Sequence, residues 1–378
     1  MECIREANFF VLDARNKGNR ARERNARHLF ACTIFVSALF ATSAVAWGEE
    51  GGGSEVTGRS FLFHASHATE QIAKTPERDH RDSPLNSRFG SLRFRQASDL
   101  PDLSGLAWLG GDCFLAVHDA KIDGESGKPR ASLLYLPTDS QGVHWKPQAI
   151  DFRGLKSNDL ESAARIPGTK DVLLVESGDN GNPRFQRIFK AHVEGNRVRI
   201  IDVTPWPMPI NNVEATAVGA LGDRFVFLFA ERAQNLPITD LRWAVFDPET
   251  LSFGPFRSVA FSNPDPKAFN RPLVAMDLDS SGLIYISSAF DAEAAGLPDP
   301  DNGPFSSAVF CIGELTEVND EPEVILFDTP RLEGTLHGFK VESVAVRESD
   351  EYGLQIFVGT DDENYGATLR LLPPLPGN

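Results

Sequence analysis

The sequence is short of several residue types, and each shortage excludes something. Four cysteines in 378 residues are too few for a disulfide-held scaffold. None forms a zinc-type pair, and H-E-x-x-H, G-x-S-x-G and a phosphate-cradling glycine loop are all missing. The familiar zinc-hydrolase, serine-nucleophile and nucleotide-binding signatures are therefore absent. Basic residues are outnumbered, 37 Lys and Arg against 53 Asp and Glu, for a net charge of −16. A nucleic-acid binder needs the opposite balance. Only one apolar run, residues 29–46, approaches the length of a membrane span, which excludes a polytopic membrane protein. Helical periodicity is nearly absent too. The run DAEAAGL at 291–297 offers one turn before a proline-rich stretch stops it.

With 41% hydrophobic residues, the chain can nevertheless build a core and is not a disordered tail. Residues 15–27 are rich in Arg and Lys, and the apolar run LFACTIFVSALFATSAVA at 29–46 ends in Ala44-Val45-Ala46. A basic region, an apolar segment and a small-x-small exit predict a secretory signal peptide over 1–46, cleaved after Ala46. The mature chain is then secreted or periplasmic; the alternative is an uncleaved membrane anchor. Residues 47–88 are rich in Gly, Ser, His and charge without an apolar period, and read as a flexible linker. Residues 1–46 hold seven basic and four acidic residues, so the mature chain carries 30 against 49. Such a surface repels polyanions unless a cation bridges them. The expected partner is a small molecule, or a polyanionic ligand held through a cation. Neither nucleic acid nor, after cleavage, a membrane is expected, and the chain reads as a monomer.

Residues 89–378 repeat. Five segments open with a short apolar strand: LSGLAWL at 103, LESAARI at 160, VEATAVG at 213, LVAMDLD at 273 and VESVAVR at 341. A more apolar second strand follows each, over 113–119, 172–179, 225–231, 283–291 and 355–362. Third strands begin at 131, 185, 242, 307 and 367, and fourth strands at 147, 197, 256 and 323. Short runs rich in Val, Ile and Phe between Gly, Pro, Asp and Asn are strand signals. Four antiparallel strands per unit predict an all-β, five-bladed β-propeller, with six blades as the alternative. The fifth unit lacks a fourth strand, which SLRFRQ at 91–96 can supply, closing the ring between the two ends of the domain. Cys113 and Cys311 then fall in blades that are not neighbours and read as buried thiols.

Strand order places the start of each first strand and the end of each second strand on one face. The first column reads Ser104, Glu161, Glu214, Val274 and Glu342; the second reads Asp119, Asp179, Glu231, Asp291 and Asp361. Carboxylates converging on one mouth cannot all ionise without a cation or raised pKa values. Oxygen ligands from several loops suit Ca²⁺. The sequence-based site is therefore a Ca²⁺ held by Glu161, Glu214 and Glu342, with Asp179 and Asp361 assisting, and with His118 and Asp119 as candidate catalytic residues. Ordinary turn chemistry at strand ends is the alternative for the second column. The segment from Asp277 to Gly282 mimics the start of an EF-hand loop but reads as a turn between strands.

The segments DLESAARIPGTKDVLLVESGDNGN, VEATAVGALGDRFVFLFAER and KVESVAVRESDEYGLQIFVGTDDENYG resemble the repeated units of the phytase-like, or esterase-like, β-propeller proteins. More distantly they resemble the Ca²⁺-dependent gluconolactonase and paraoxonase propellers. The resemblance implies a secreted, metal-dependent hydrolase of ester or phosphoester bonds. The chain departs from the pattern at Ser162 and Ser343, where the motif has Gly, and at Val274, where it has Glu. A non-catalytic binding propeller is the alternative.

Overall fold

A computed structural model describes residues 100–121, 128–136, 144–179 and 181–373. They form five antiparallel sheets, with three short 3-10 turns and no α-helix among the described residues. The first blade is β1 (Gly105–Gly110), β2 (Cys113–Val117), β3 (Ala131–Tyr135) and β4 (His144–Pro147). The second is β5 (Leu160–Arg165), β6 (Asp171–Glu176), β7 (Arg187–Glu194) and β8 (Arg197–Pro205). The third is β9 (Val213–Leu221), β10 (Arg224–Glu231) and β11 (Ile238–Asp247), whose outer edge pairs with both β12 (Ser252–Phe253) and β13 (Arg257–Ser262). The fourth is β14 (Arg271–Leu278), β15 (Leu283–Phe290), β16 (Ser306–Val318) and β17 (Glu321–His337). The fifth shows β18 (Val341–Ser349), β19 (Gly353–Thr360) and β20 (Leu369–Leu371). The signal segment, the linker and the closing strand expected over 91–96 lie outside the described residues.

Alternation along the second strands explains the ring. In β6, Val172 and Leu174 pack toward the first blade while Leu173 and Val175 pack toward the third. In β10, Val226 and Leu228 face the fourth blade while Phe227 and Phe229 face the second. A strand buried on both faces must be apolar at every position. That is why the second strands are the most apolar of each repeat. The core is accordingly divided into five clusters, one in each gap between adjacent blades. The cluster joining the fifth blade to the first holds Leu103, Leu106, Phe114, Phe357 and Leu369, with the Phe114 and Phe357 rings 4.9 Å apart. Five interfaces closing on themselves settle the blade number at five.

Serine hydroxyls fasten neighbouring innermost strands. Ser162 Oγ accepts from Thr216 N (3.0 Å) and Thr216 Oγ1 (2.8 Å), linking the second and third blades. Ser343 Oγ donates to Leu103 O at 2.7 Å across the closing interface. The two serines that depart from the motif glycine therefore act as inter-blade fasteners. Gly359 is required beside them, because a Cβ there would lie 2.7 Å from Leu103 Cβ.

Most expected strands lie within a few residues of the observed ones. The fourth strand of the first blade does not: β4 lies at 144–147, not from 147 onward, because Tyr135 pairs with His144 and Ser132 with Pro147. The hairpin of β16 and β17 is longer than expected, its register shifting between Cys311 and Gly313. Cys113 and Cys311 are buried in β2 and β16. In the Asp277–Gly282 segment, Asp277 and Leu278 end β14 and residues 279–282 form the turn into β15, with Gly282 N donating to Asp279 O. No helix among the described residues is long and apolar enough to cross a membrane.

Candidate functional site

Each first-column glutamate is the extra residue of a β-bulge. Pairing passes from Leu160↔Glu176 to Ser162↔Val175, skipping Glu161. It passes likewise from Val213↔Glu231 to Ala215↔Ala230, skipping Glu214, and from Val341↔Thr360 to Ser343↔Gly359, skipping Glu342. A bulge frees one residue from the ladder and re-aims its side chain. In the fourth blade the irregularity is wider, from Arg271↔Ala289 to Ala275↔Ser287. There the residue that reaches the axis is Arg271, not Val274.

Arg271 divides the expected carboxylate trio. Its Nη2 pairs with Glu214 of the third blade and its Nη1 donates to Glu342 Oε1 of the fifth at 2.7 Å. Asp291 Oδ2 lies 3.9 Å from Nη1. One guanidinium touching the blades on both sides of its own fixes these groups at the mouth. Around it, Arg232 donates to Asp291 (2.8 Å) and lies 3.4 Å from Glu214. Lys340 Nζ lies 2.9 Å from Asp361, 3.2 Å from Glu342, and bonds to Glu363. Burial pushes the Glu342 carboxyl up, but Lys340 and Arg271 outweigh it and hold it down at about 2.

Glu161 lies on the other side, with Asp119 from the end of β2 and Asp159 from the turn before β5. One oxygen from each of the three lies within 4.8 Å of the others. Asp159 takes a left-handed backbone, φ 57°, which Asp tolerates; Ser177 Oγ and Lys121 Nζ both donate to it. Glu161 makes no such bond among the described residues. Burial first, then Asp159, Asp119, Glu214 and Glu342, push its carboxyl well above the usual range. Burial, Glu342 and Asp361 push Asp119 up to about 6, against the pull of Lys121. At the rim, burial and then Asp361 push Asp102 up to about 8.

The other expected residues lie as follows. His118 is buried, its Nδ1 2.7 Å from Asp102 O and its Nε2 2.9 Å from Ser132 Oγ. Burial pushes it down to about 4. A neutral ring with both nitrogens engaged ties β2 to its neighbours and does not open on the mouth. Asp179 is exposed in its turn, its amide bonded to Ser177 Oγ at 3.1 Å, and joins neither carboxylate group. Asp361 is at the mouth, on Lys340. Glu231 accepts from Asn211 N (2.6 Å) and Arg242 Nη1 (2.9 Å), which is the turn and strand-end chemistry of the alternative reading. Sequence reasoning missed Asp159, Lys340, Arg232 and Arg271. The only signal for the first two was proximity in sequence: Asp159 and Lys340 each lie two residues before a first-column glutamate, just ahead of β5 and β18.

No family model matches the sequence, and no curated protein does. Solved structures similar to the chain include an endo-1,4-β-xylanase from Bacteroides thetaiotaomicron, 12% identical, covering 72% of this chain and 90% of that one at a TM-score of 0.46. An arabinanase from Bacillus subtilis is 11% identical, covering 73% and 94% at a TM-score of 0.39. A β-fructofuranosidase from Bombyx mori is 12% identical, covering 74% and 63% at a TM-score of 0.44. None of the three is a phytase-like protein. What stands of the resemblance in the repeat segments is the β-propeller, which rests on the strand pairing and the five inter-blade cores described above.

Proposed function

We propose that the mouth is the active site of an exported hydrolase that cleaves glycosidic bonds by carboxyl acid–base chemistry. The observation that carries this reading is the juxtaposition of two carboxylate groups from different blades. Asp119, Asp159 and Glu161 crowd together without a full set of counter-ions, while Glu342 is fixed beside them by Arg271 and Lys340. Burial, then the neighbouring carboxylates, push Glu161 toward its protonated form, while Lys340 and Arg271 hold Glu342 toward its ionised form. Carboxyls driven apart in this way divide into an acid and a base. A glycosidic oxygen is a poor leaving group and needs the proton that Glu161 holds. Asp119 or Glu342 then accepts the proton of the attacking water. An uncharged sugar enters an acidic mouth at little electrostatic cost, whereas a phosphoester is repelled. Export rests on the signal-like run at 29–46.

The test is a panel of neutral oligosaccharides and p-nitrophenyl glycosides. Glu161→Gln is expected to lower turnover about 10²–10⁴-fold on unactivated sugars, and less on p-nitrophenyl substrates, whose leaving group needs little protonation. Full turnover of an oligosaccharide by Glu161→Gln would remove Glu161 as the acid.

The closeness of Asp119, Asp159 and Glu161 favours a second reading, ester or phosphoester hydrolysis assisted by Ca²⁺. These three oxygen donors suit the ion, provided Lys121 leaves Asp159; Glu214 and Glu342 are already taken by Arg271. Asp119, Asp159 and Glu161 would hold the ion, which would supply Lewis acidity toward an ester or phosphoester oxygen. Ester turnover lost in EDTA and restored by Ca²⁺ supports this reading, and turnover unchanged by EDTA rejects it.

A further inference from the structure

We propose that the axial throat beneath the mouth is a binding site for a single water molecule, held between Ser104 of the first blade, Ser162 of the second and Glu214 of the third. The site does not depend on what the mouth cleaves.

The reason for the site lies in the first column. The second, third and fifth blades send Glu161, Glu214 and Glu342 toward the axis from their bulges, and the fourth sends Arg271. The first blade has only Ser104 in that slot, and no bulge beside it, since β1 pairs without interruption from Gly105↔Val117 to Trp108↔Phe114. A short side chain leaves space at the axis. That space is a cavity of about 10 Å³ to which every blade contributes, with Ser104, Ser162, Glu214, Ala275 and Ser343 among its lining. It suffices for one water and is far too small for an organic ligand. Gly105 lets the first two blades close around it: a Cβ there would lie 2.7 Å from Ala163 N.

The polar groups of the throat call for that water. Ser104 is 2% exposed, and its Oγ has no hydrogen-bond partner among the described residues. A buried hydroxyl in that condition is costly, and folded proteins satisfy nearly all such groups with protein or ordered water. Ser162 Oγ already accepts from Thr216 N and Thr216 Oγ1, so what it has left to offer is its hydrogen. Glu214, paired with Arg271 and Arg232, is an acceptor. One water accepts from Ser162, donates to Glu214 and shares a third bond with Ser104, which is the usual number for a buried water. The same inventory excludes ions. A cation would face the hydrogen of Ser162 and the Arg271 guanidinium on Glu214, and an anion would face the Glu214 carboxylate. Bound so, the water joins the first blade to the Glu214–Arg271–Glu342 chain of ion pairs, and all five blades meet in one polar network at the axis.

The test is a crystal structure of the full chain at a resolution that shows ordered water, together with thermal unfolding of Ser104→Ala. One water is expected in the throat, within about 3.2 Å of Ser104 Oγ and of a Glu214 oxygen. The variant responds with opposite sign in the two cases. Removing a hydroxyl that a water satisfies discards a hydrogen bond, and the melting temperature should fall by about 1–6 °C. Removing one that has no partner should leave it unchanged or raise it. An empty throat, a metal ion in place of the water, or a Ser104→Ala protein that melts at or above the wild type would each overturn the proposal. If the variant fails to fold, the crystal structure of the wild type decides alone.

Discussion

Replacing Arg271 by Met tests the electrostatic account of the mouth. The side chain is 4% exposed and pairs with Glu214 and Glu342, which are 5% and 11% exposed. Methionine keeps much of the volume but strands two buried carboxylates. Breaking a buried pair in this way costs about 3–5 kcal/mol. At about 2–4 °C per kcal/mol for a domain of this size, the melting temperature should fall by roughly 6–20 °C at pH 7. The loss has a defined pH dependence. Glu342 is held at about 2 in the folded protein, below its unfolded value of about 4.3. Its contribution is therefore complete above the unfolded value and lost as pH falls toward 2, and it amounts to about 3 kcal/mol at 1.36 kcal/mol per unit. In Arg271→Met the folded value rises, although Lys340 remains. The variant and the wild type should then converge in stability as pH drops from about 4.3 toward 2, so that they differ less at about pH 2.5 than at pH 7. Urea unfolding followed by tryptophan fluorescence at both pH values measures this. The triple variant Arg271→Met/Glu214→Gln/Glu342→Gln removes the stranded charges and should recover most of the loss. A deficit under about 1 kcal/mol, or one equal at pH 7 and about pH 2.5, would refute the reasoning.

Two further outcomes address the ring. A chain beginning at residue 89 should melt with the full-length protein, whereas one beginning at residue 97 loses the strand expected over 91–96 and should melt several degrees lower; equal melting temperatures would reject that closing strand. Gly359→Ala forces Leu103 and Ser343 apart at the closing interface and should cost about 1–3 kcal/mol in urea unfolding, while no change would show that the interface can yield.

Much of the fold was legible because a propeller repeats local patterns. Turn residues bound each run, and the second strands are apolar at successive positions because they are buried on both faces. The positions of Glu161, Glu214 and Glu342 followed from that alignment. Their partners did not, because ion pairing at the mouth is decided by which blades meet across the axis. Val274 occupied the aligned slot, but the wider irregularity in β14 hands the axis to Arg271. His118 illustrates another limit. Alternation along β2 sends Phe114, Ala116 and His118 to one face, toward the fifth blade, so the strand period already placed the ring between blades. Its nearness to Asp119 in sequence suggested the mouth instead.

The bulges carry a consequence for how this surface can be changed. At Glu161, Glu214 and Glu342 the sheet already accommodates one residue more than its partner strand supplies. Losing the codon for Glu161, whose side chain makes no hydrogen bond among the described residues, would let the ladder run on straight, whereas losing Glu214 or Glu342 would also strand the buried Arg271 guanidinium. The chemistry and the scaffold are thus separable by the smallest in-frame deletion, and a copy of this protein could fall silent without losing its shape.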